Sequence, residues 1–192
     1  MNPPLIVIKP SALAQQCVDY ILHHNHSPEY TTWDIQWKIV WPYFNYSPGI
    51  DPVMLVAQLI HETGNLTSWW SGRPRRNPAG IGVTGRTVIG DQPKPKGKWV
   101  LKDGFWHEGN SYGDWTDAVH AHIGRVLCYR FTVLGGDSHQ RVLMNIANDD
   151  RTFPPKHRGK YKNWYDLNGI WSLSPTYAQQ IERIAEAIRE VD

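Results

Sequence analysis

Residues 49–65 read Gly-Ile-Asp-Pro-Val-Met-Leu-Val-Ala-Gln-Leu-Ile-His-Glu-Thr-Gly-Asn. Asp51 is a good helix cap, and Pro52 suits the first helical position, where a missing N–H costs nothing. An apolar run follows, and Gly64 can take the left-handed conformation that ends a helix. The stretch is therefore expected to be a helix that opens at Pro52, stops at Gly64 and carries a His-Glu pair in its last turn. A zinc-protease helix would need His-Glu-x-x-His, so that two imidazoles share one face. Asn65 stands at the second histidine position and is a poor zinc ligand, so Glu62 must serve another purpose.

Glu62 follows Leu55 by seven residues and Leu59 by three, which places it on a largely apolar helix face. It also lies at the negative end of the helix dipole. Both features push a carboxyl pKa upward, and a carboxyl that keeps its proton near neutral pH is what a general acid requires. Trp69 and Trp70 follow closely enough to build an apolar wall beside it, the device by which lysozyme raises its own catalytic glutamate. The plain alternative is a solvated glutamate in a final helical turn.

Outward from this helix, the chain of 192 residues has 41% hydrophobic and 20% charged residues, the composition of one soluble globular domain with a real core. A net charge of +2 is too small to argue for nucleic acid. No apolar run approaches the ~18 residues of a membrane span. The opening "MNPPLIVIKP" has four apolar residues between prolines, too few for a secretory signal. Cys17 and Cys128 are expected to remain reduced thiols. Ten tryptophans and nine tyrosines can fill a core or build a groove that stacks on sugar rings. His23, His24 and His26 are expected to be solvated at a helix end, and His120 and His122 to point to different faces of one helix. No metal site, cofactor motif or phosphate-cradling glycine loop is expected.

Helical spacing predicts a helix over 11–25, and a second one that Thr32 caps and that stops near Pro42. Residues 72–106 are crowded with glycine and proline, and "RTVIGDQPKPKGKWVLKDGFW" (86–106) is expected to be a small hairpin with the Pro/Gly/Lys stretch as its tip. A helix from Asp114, with Trp115, Val119, Val126 and Leu127 on its apolar stripe, and a shorter one over 139–148 follow. After a long aromatic loop, Ser174 is expected to cap a closing helix with Pro175 in its first turn and Ile181, Ile184, Ala185 and Ile188 buried.

"GIDPVMLVAQLIHETGN" followed by "NPAGIGVTG" (77–85) resembles the glucosaminidase-type peptidoglycan hydrolases of glycoside hydrolase family 73. "YGDWTDAVHAHIGRVLCY" (112–129) looks like the helix that follows that family's β-lobe, and "SPTYAQQIERIAEAI" (174–188) like its closing, tyrosine-bearing helix. The resemblance spans about residues 47–188 of one catalytic domain, 1–192. It implies an α+β, mainly helical, lysozyme-like fold with a small β-lobe at about residues 80–106 and a cleft between the lobes. It implies cleavage of the β-1,4 bond between N-acetylglucosamine and N-acetylmuramic acid, with Glu62 as general acid. Asn77 and Gly80, from the family's N-x-x-GI segment, and Trp69, Trp70 and Tyr177 would bind substrate. For Tyr177, a first-turn ring packed on Ile181 is an equal reading.

The family is thought to carry a second glutamate in its β-lobe, but "VTGRTVIGDQ" (83–92) offers none. Asp91, Asp103 and Glu108 are the nearby acids, and Asp91 ranks first because it lies in the predicted hairpin. Retention, inversion and assistance by the substrate's 2-acetamido group all stay open. So do a muramidase, a lytic transglycosylase, a chitinase and a wall-binding module without activity. The partner expected is bacterial peptidoglycan, with no nucleic acid and no membrane, met by a monomer made in the cytoplasm and released like a phage lysin or carried on a virion.

Overall fold

A computed structural model describes residues 11–191, so the reading of the apolar opening stretch, residues 1–10, lies outside the described residues. About half of the described chain is helical, and one small three-stranded antiparallel sheet completes an α+β fold. Ser11 caps α1 (Ala12–His23) by accepting from Ala14 N.

The second helical stretch departs from expectation at both ends. Thr31 caps it in place of Thr32: its hydroxyl accepts from Asp34 N while Asp34 Oδ2 accepts from Thr31 N, each at 3.2 Å. The chain then runs as a π-helix, Asp34–Val40, and continues unbroken through Pro42 as α2 (Trp41–Tyr46). In an α-helix the proline ring would meet the carbonyl four residues back. The wider π turn, in which Trp41 N–H reaches Gln36 O five residues back, changes that register and lets the helix pass Pro42.

The decisive helix forms as its sequence dictates. Asp51 accepts from Val53 N, α3 spans Pro52–Thr63, and Gly64 is left-handed at φ 55°. Val53, Leu55, Val56, Ala57 and Leu59 are all buried, so α3 is enclosed on every side and forms the hub of the core. Asn65 and Leu66 are left-handed as well, and Asn65 Nδ2 ties this turn to the carbonyls of Ile21 and Asn25.

The sheet has the order β1-β3-β2, with β1 Thr87–Ile89, β2 Trp99–Lys102 and β3 Phe105–Glu108. The hairpin is therefore not where the sequence placed it. Its tip is Asp103-Gly104, both at positive φ (47° and 78°), the two-residue turn whose twist matches paired strands. The Pro/Lys stretch, where Pro93 and Pro95 have no N–H to give to a ladder, is the loop that carries the chain from β1 to β2 on the far side of β3.

α4 (Trp115–Arg130) and α5 (Ser138–Asp150) follow, capped by Asp114 and Asp137. They cross at Gly124, where an added Cβ would lie 1.9 Å from the Leu143 carbonyl oxygen. Gly124→Ala is therefore expected to destabilise the fold by about 3 kcal/mol, seen as a lower urea midpoint at an unchanged m-value. An unmoved midpoint would show that the two helices part freely.

Short 3-10 turns at Pro155–His157 and Trp164–Leu167 lead to α6, Tyr177–Arg189. The helix starts two residues beyond Pro175. Ser174 accepts from Thr176 N, outside the helix, and Asn168 Oδ1 caps Ala178 N at 2.7 Å from the preceding loop. Ile181, Ala185 and Ile188 are buried, and Ile184 partly so. Cys17 and Cys128 are separate buried thiols. No helix of the described residues is long and apolar enough to cross a membrane.

Candidate active site

Glu62 opens onto a pocket of about 500 Å3. One wall is the end of α3 with His61, and another is the tight segment Ala79-Gly80-Ile81 with Val83. Arg125 and Tyr129 of α4, Arg151 after α5, Trp171 and Ser172 of the last loop and Tyr177 of α6 close it. Among the described residues, Glu62 is the one carboxylate in this lining.

The two oxygens of Glu62 have different surroundings. Oε1 accepts from Tyr177 O–H at 2.5 Å and from Trp171 Nε1–H at 2.9 Å. Oε2 has no such partner among the described residues and faces Gly80, where a Cβ would stand 3.8 Å away. Burial raises the Glu62 pKa, and the bonds from Tyr177 and Trp171 and the nearby His61 oppose part of that rise. A proton on Oε2 is therefore held to higher pH than on an ordinary glutamate, and Oε2 is directed at whatever occupies the pocket beside Gly80.

Behind Oε1 runs a chain of buried hydrogen bonds. Gln58 Nε2 donates to Tyr177 Oη at 2.7 Å, so the tyrosine's own proton must point to Glu62. Gln58 Oε1 accepts at 2.9 Å from His122 Nε2, which fixes the Nε2–H tautomer. His122 Nδ1 is then an acceptor and takes the Tyr43 O–H at 2.8 Å. Tyr43, His122, Gln58, Tyr177 and Glu62 thus form one series in which every donor points toward the carboxyl group. Burial pushes His122 down to about 3, so its imidazole stays neutral, and burial with the nearby Glu62 charge pushes Tyr177 far up, so its phenol stays protonated.

The expected site residues divide. Glu62, Gly80 and Tyr177 meet in the pocket. The ring of Tyr177 is buried, and its hydroxyl reaches Glu62. Asn77 does not line the pocket: its Nδ2 donates to the carbonyls of Ile81 and Asn110, and its Oδ1 accepts from Ile81 N and Ala79 N. Its part is to fold the 77–81 segment that carries Gly80 against Glu62.

Trp69 and Trp70 stand outside the pocket lining. Their rings are 4.6 Å apart, with Arg75 and Lys102 over Trp69 and His107 of β3 beside it. The tryptophan that reaches Glu62 is Trp171 instead, and it does so as a hydrogen-bond donor. Asp91 is exposed in the loop after β1 and outside the pocket lining. Asp103 sits in the hairpin turn, and Glu108 accepts from Thr84 Oγ1 at 2.6 Å and pairs with Arg86.

Trp171, Gln58, His122, Arg125 and Arg151 were not foreseen. Gln58 had a readable signal, being the one polar residue in "VMLVAQLI" and four residues before Glu62 on the same helix face. His122 was expected merely to face away from His120. Trp171 and the arginines have no spacing that would mark them.

Comparison with protein-family models and with curated proteins found no match. Among solved structures, the catalytic domain of the autolysin Auto from Listeria monocytogenes matches 95% of this chain and 88% of its own length, at 15% sequence identity and a TM-score of 0.45.

Proposed function

We propose that the chain cleaves β-1,4 glycosidic bonds of bacterial peptidoglycan, at the bond between N-acetylglucosamine and N-acetylmuramic acid, with Glu62 as proton donor. The observation that carries this reading is the split environment of Glu62: one oxygen fixed by two donors, the other without such a partner among the described residues and turned into a pocket of about 500 Å3. As the bond from the anomeric carbon to the glycosidic oxygen breaks, Oε2–H gives its proton to that oxygen.

With no second carboxylate in the lining among the described residues, the emerging positive charge is met by the substrate's own 2-acetamido oxygen, which bonds to the anomeric carbon as the leaving group departs. Water then opens that ring, and the Glu62 carboxylate takes the water's proton back. A lytic transglycosylase, in which a hydroxyl of the substrate replaces water, is the second reading, and the same single carboxylate favours it.

The test is mass spectrometry of borohydride-reduced digests of purified cell wall. Reduced N-acetylglucosamine ends are expected. Reduced muramic ends would make the protein a muramidase, and anhydromuramic ends a transglycosylase. No new ends, with wall binding retained, would leave a binding module. In the same assay Asp91→Asn is expected to retain activity within about threefold, the range of an exposed residue outside the reacting groups. A loss as large as that of Glu62→Gln would make Asp91 a second catalytic acid and overturn the one-acid mechanism.

A further inference from the structure

Arg125 and Arg151 face the pocket of Glu62, yet neither forms an ion pair with any carboxylate among the described residues. Arg125 is half-buried on α4. It donates to the Arg151 carbonyl at 3.3 Å and lies 5.3 Å over the Phe153 ring. Burial first, and the adjacent Arg151 charge as well, work against its protonated form. Two like charges held together without a counter-ion are a cost to the fold, and a bound anion turns that cost into attraction. Tyr129 and Ser172, both polar and uncharged, line the same pocket around the two arginines.

A planar guanidinium fork fits the two oxygens of a carboxylate. Glu62 itself cannot serve as that partner, because its Oε1 is committed to Tyr177 and Trp171. We infer that Arg125 and Arg151 form a carboxylate-binding subsite that takes the anionic substituent on the muramic acid residue next to the bond being cut. This rests on the proposed wall-cleaving function and adds a determinant of substrate class, since a neutral chitin chain has no group to place there. The carboxylate has two sources: the lactyl group of a muramic acid stripped of peptide, or the stem peptide of a substituted one.

Calorimetric titration separates these sources with three probes. N-acetylmuramic acid carries a free lactyl carboxylate, muramyl-L-alanyl-D-glutamate carries its carboxylates on the peptide, and N-acetylglucosamine has none. At least one acidic probe is expected to bind about tenfold tighter than N-acetylglucosamine, the lower end of what a charge-assisted pair supplies, and the one that gains identifies the source. The preference should vanish in Arg125→Gln/Arg151→Gln. Arg151→Gln alone, at an exposed position, should reduce it without endangering the fold.

Equal binding of all three probes by the wild type, or a preference that survives the double variant, overturns the subsite. The digestion assay keeps the two proposals apart. Walls cut by a protein without the acid preference would sink the subsite alone. An acid preference in a protein that releases no new ends would sink the hydrolase reading and leave Arg125 and Arg151 as the carboxylate-binding subsite of a wall-binding module.

Discussion

Glu62→Gln is expected to lower the rate of wall lysis between about a hundredfold and ten-thousandfold, the range of a positioned general acid. The introduced amide keeps the shape of the side chain and a carbonyl oxygen for the Tyr177 and Trp171 donors. What it lacks is the proton on Oε2. The loss should therefore fall on kcat, with KM little changed, because the pocket still accepts the sugar. A variant that keeps near-wild-type kcat would remove Glu62 from the chemistry.

The same substitution has a second, opposite effect on stability. Burial raises the pKa of Glu62 in the folded state above its unfolded value. The protonated form is the one the fold favours, so its contribution is complete below the ordinary carboxylate range and is lost as pH rises through the raised folded pKa. Above that value the wild type carries a buried anion, and the amide variant does not. Glu62→Gln should thus be more stable than wild type on the alkaline side, and the advantage should shrink as pH falls toward the ordinary carboxylate range. Thermal melts of both proteins across that range check it: a pH-independent difference would mean that Glu62 titrates normally. The wild type's activity should fall along the same alkaline limb, as Oε2 loses its proton.

What the sequence made legible was local. The cap, proline start and glycine stop of α3 act within a few residues of one another, and that helix formed as read. The Asp103-Gly104 hairpin signal is equally local, but the long Pro/Lys stretch beside it carries the stronger turn composition and is a connection between non-adjacent strands. Pro42 misled for a different reason, since a π turn removes the clash that normally ends a helix at proline. The site was legible only where chemistry and helix face coincide, as at Glu62. Trp171 and Tyr177 reach Glu62 across 109 and 115 residues of sequence, beyond any periodic signal. Trp69 and Trp70 lie close in sequence, yet the left-handed run at Gly64, Asn65 and Leu66 turns the chain and delivers them to the sheet instead.

His122→Gln is expected to cost about 2–3 kcal/mol at neutral pH, because Tyr43 and Gln58 each lose a buried partner of fixed geometry. That cost should depend on pH in a definite direction. The imidazole titrates near 3 in the folded protein and near its ordinary value of 6.5 in the unfolded one. A depressed folded pKa contributes stability that is complete above the unfolded value and is lost as pH falls toward the folded one. The wild type should therefore weaken on acidification by up to about 1.4 kcal/mol per pH unit within this window, and the uncharged glutamine should not. The gap between the two proteins closes as pH falls from neutrality, and urea titrations at a series of pH values read it directly. A gap of constant size would mean that water reaches His122 and that the series is not sealed.

Breaking the series nearer its end should be felt by the acid itself. Gln58→Leu and Tyr177→Phe remove support from Oε1, and that support is what favours the charged form of Glu62. Its pKa should rise further, which moves the alkaline limb of the activity profile to higher pH, most in Tyr177→Phe, less in Gln58→Leu and least in Tyr43→Phe at the far end. An alkaline limb that stays fixed while stability falls would reduce the five residues to core packing. A limb that moves in that order would show that the buried series sets the proton affinity of the carboxyl group it supports.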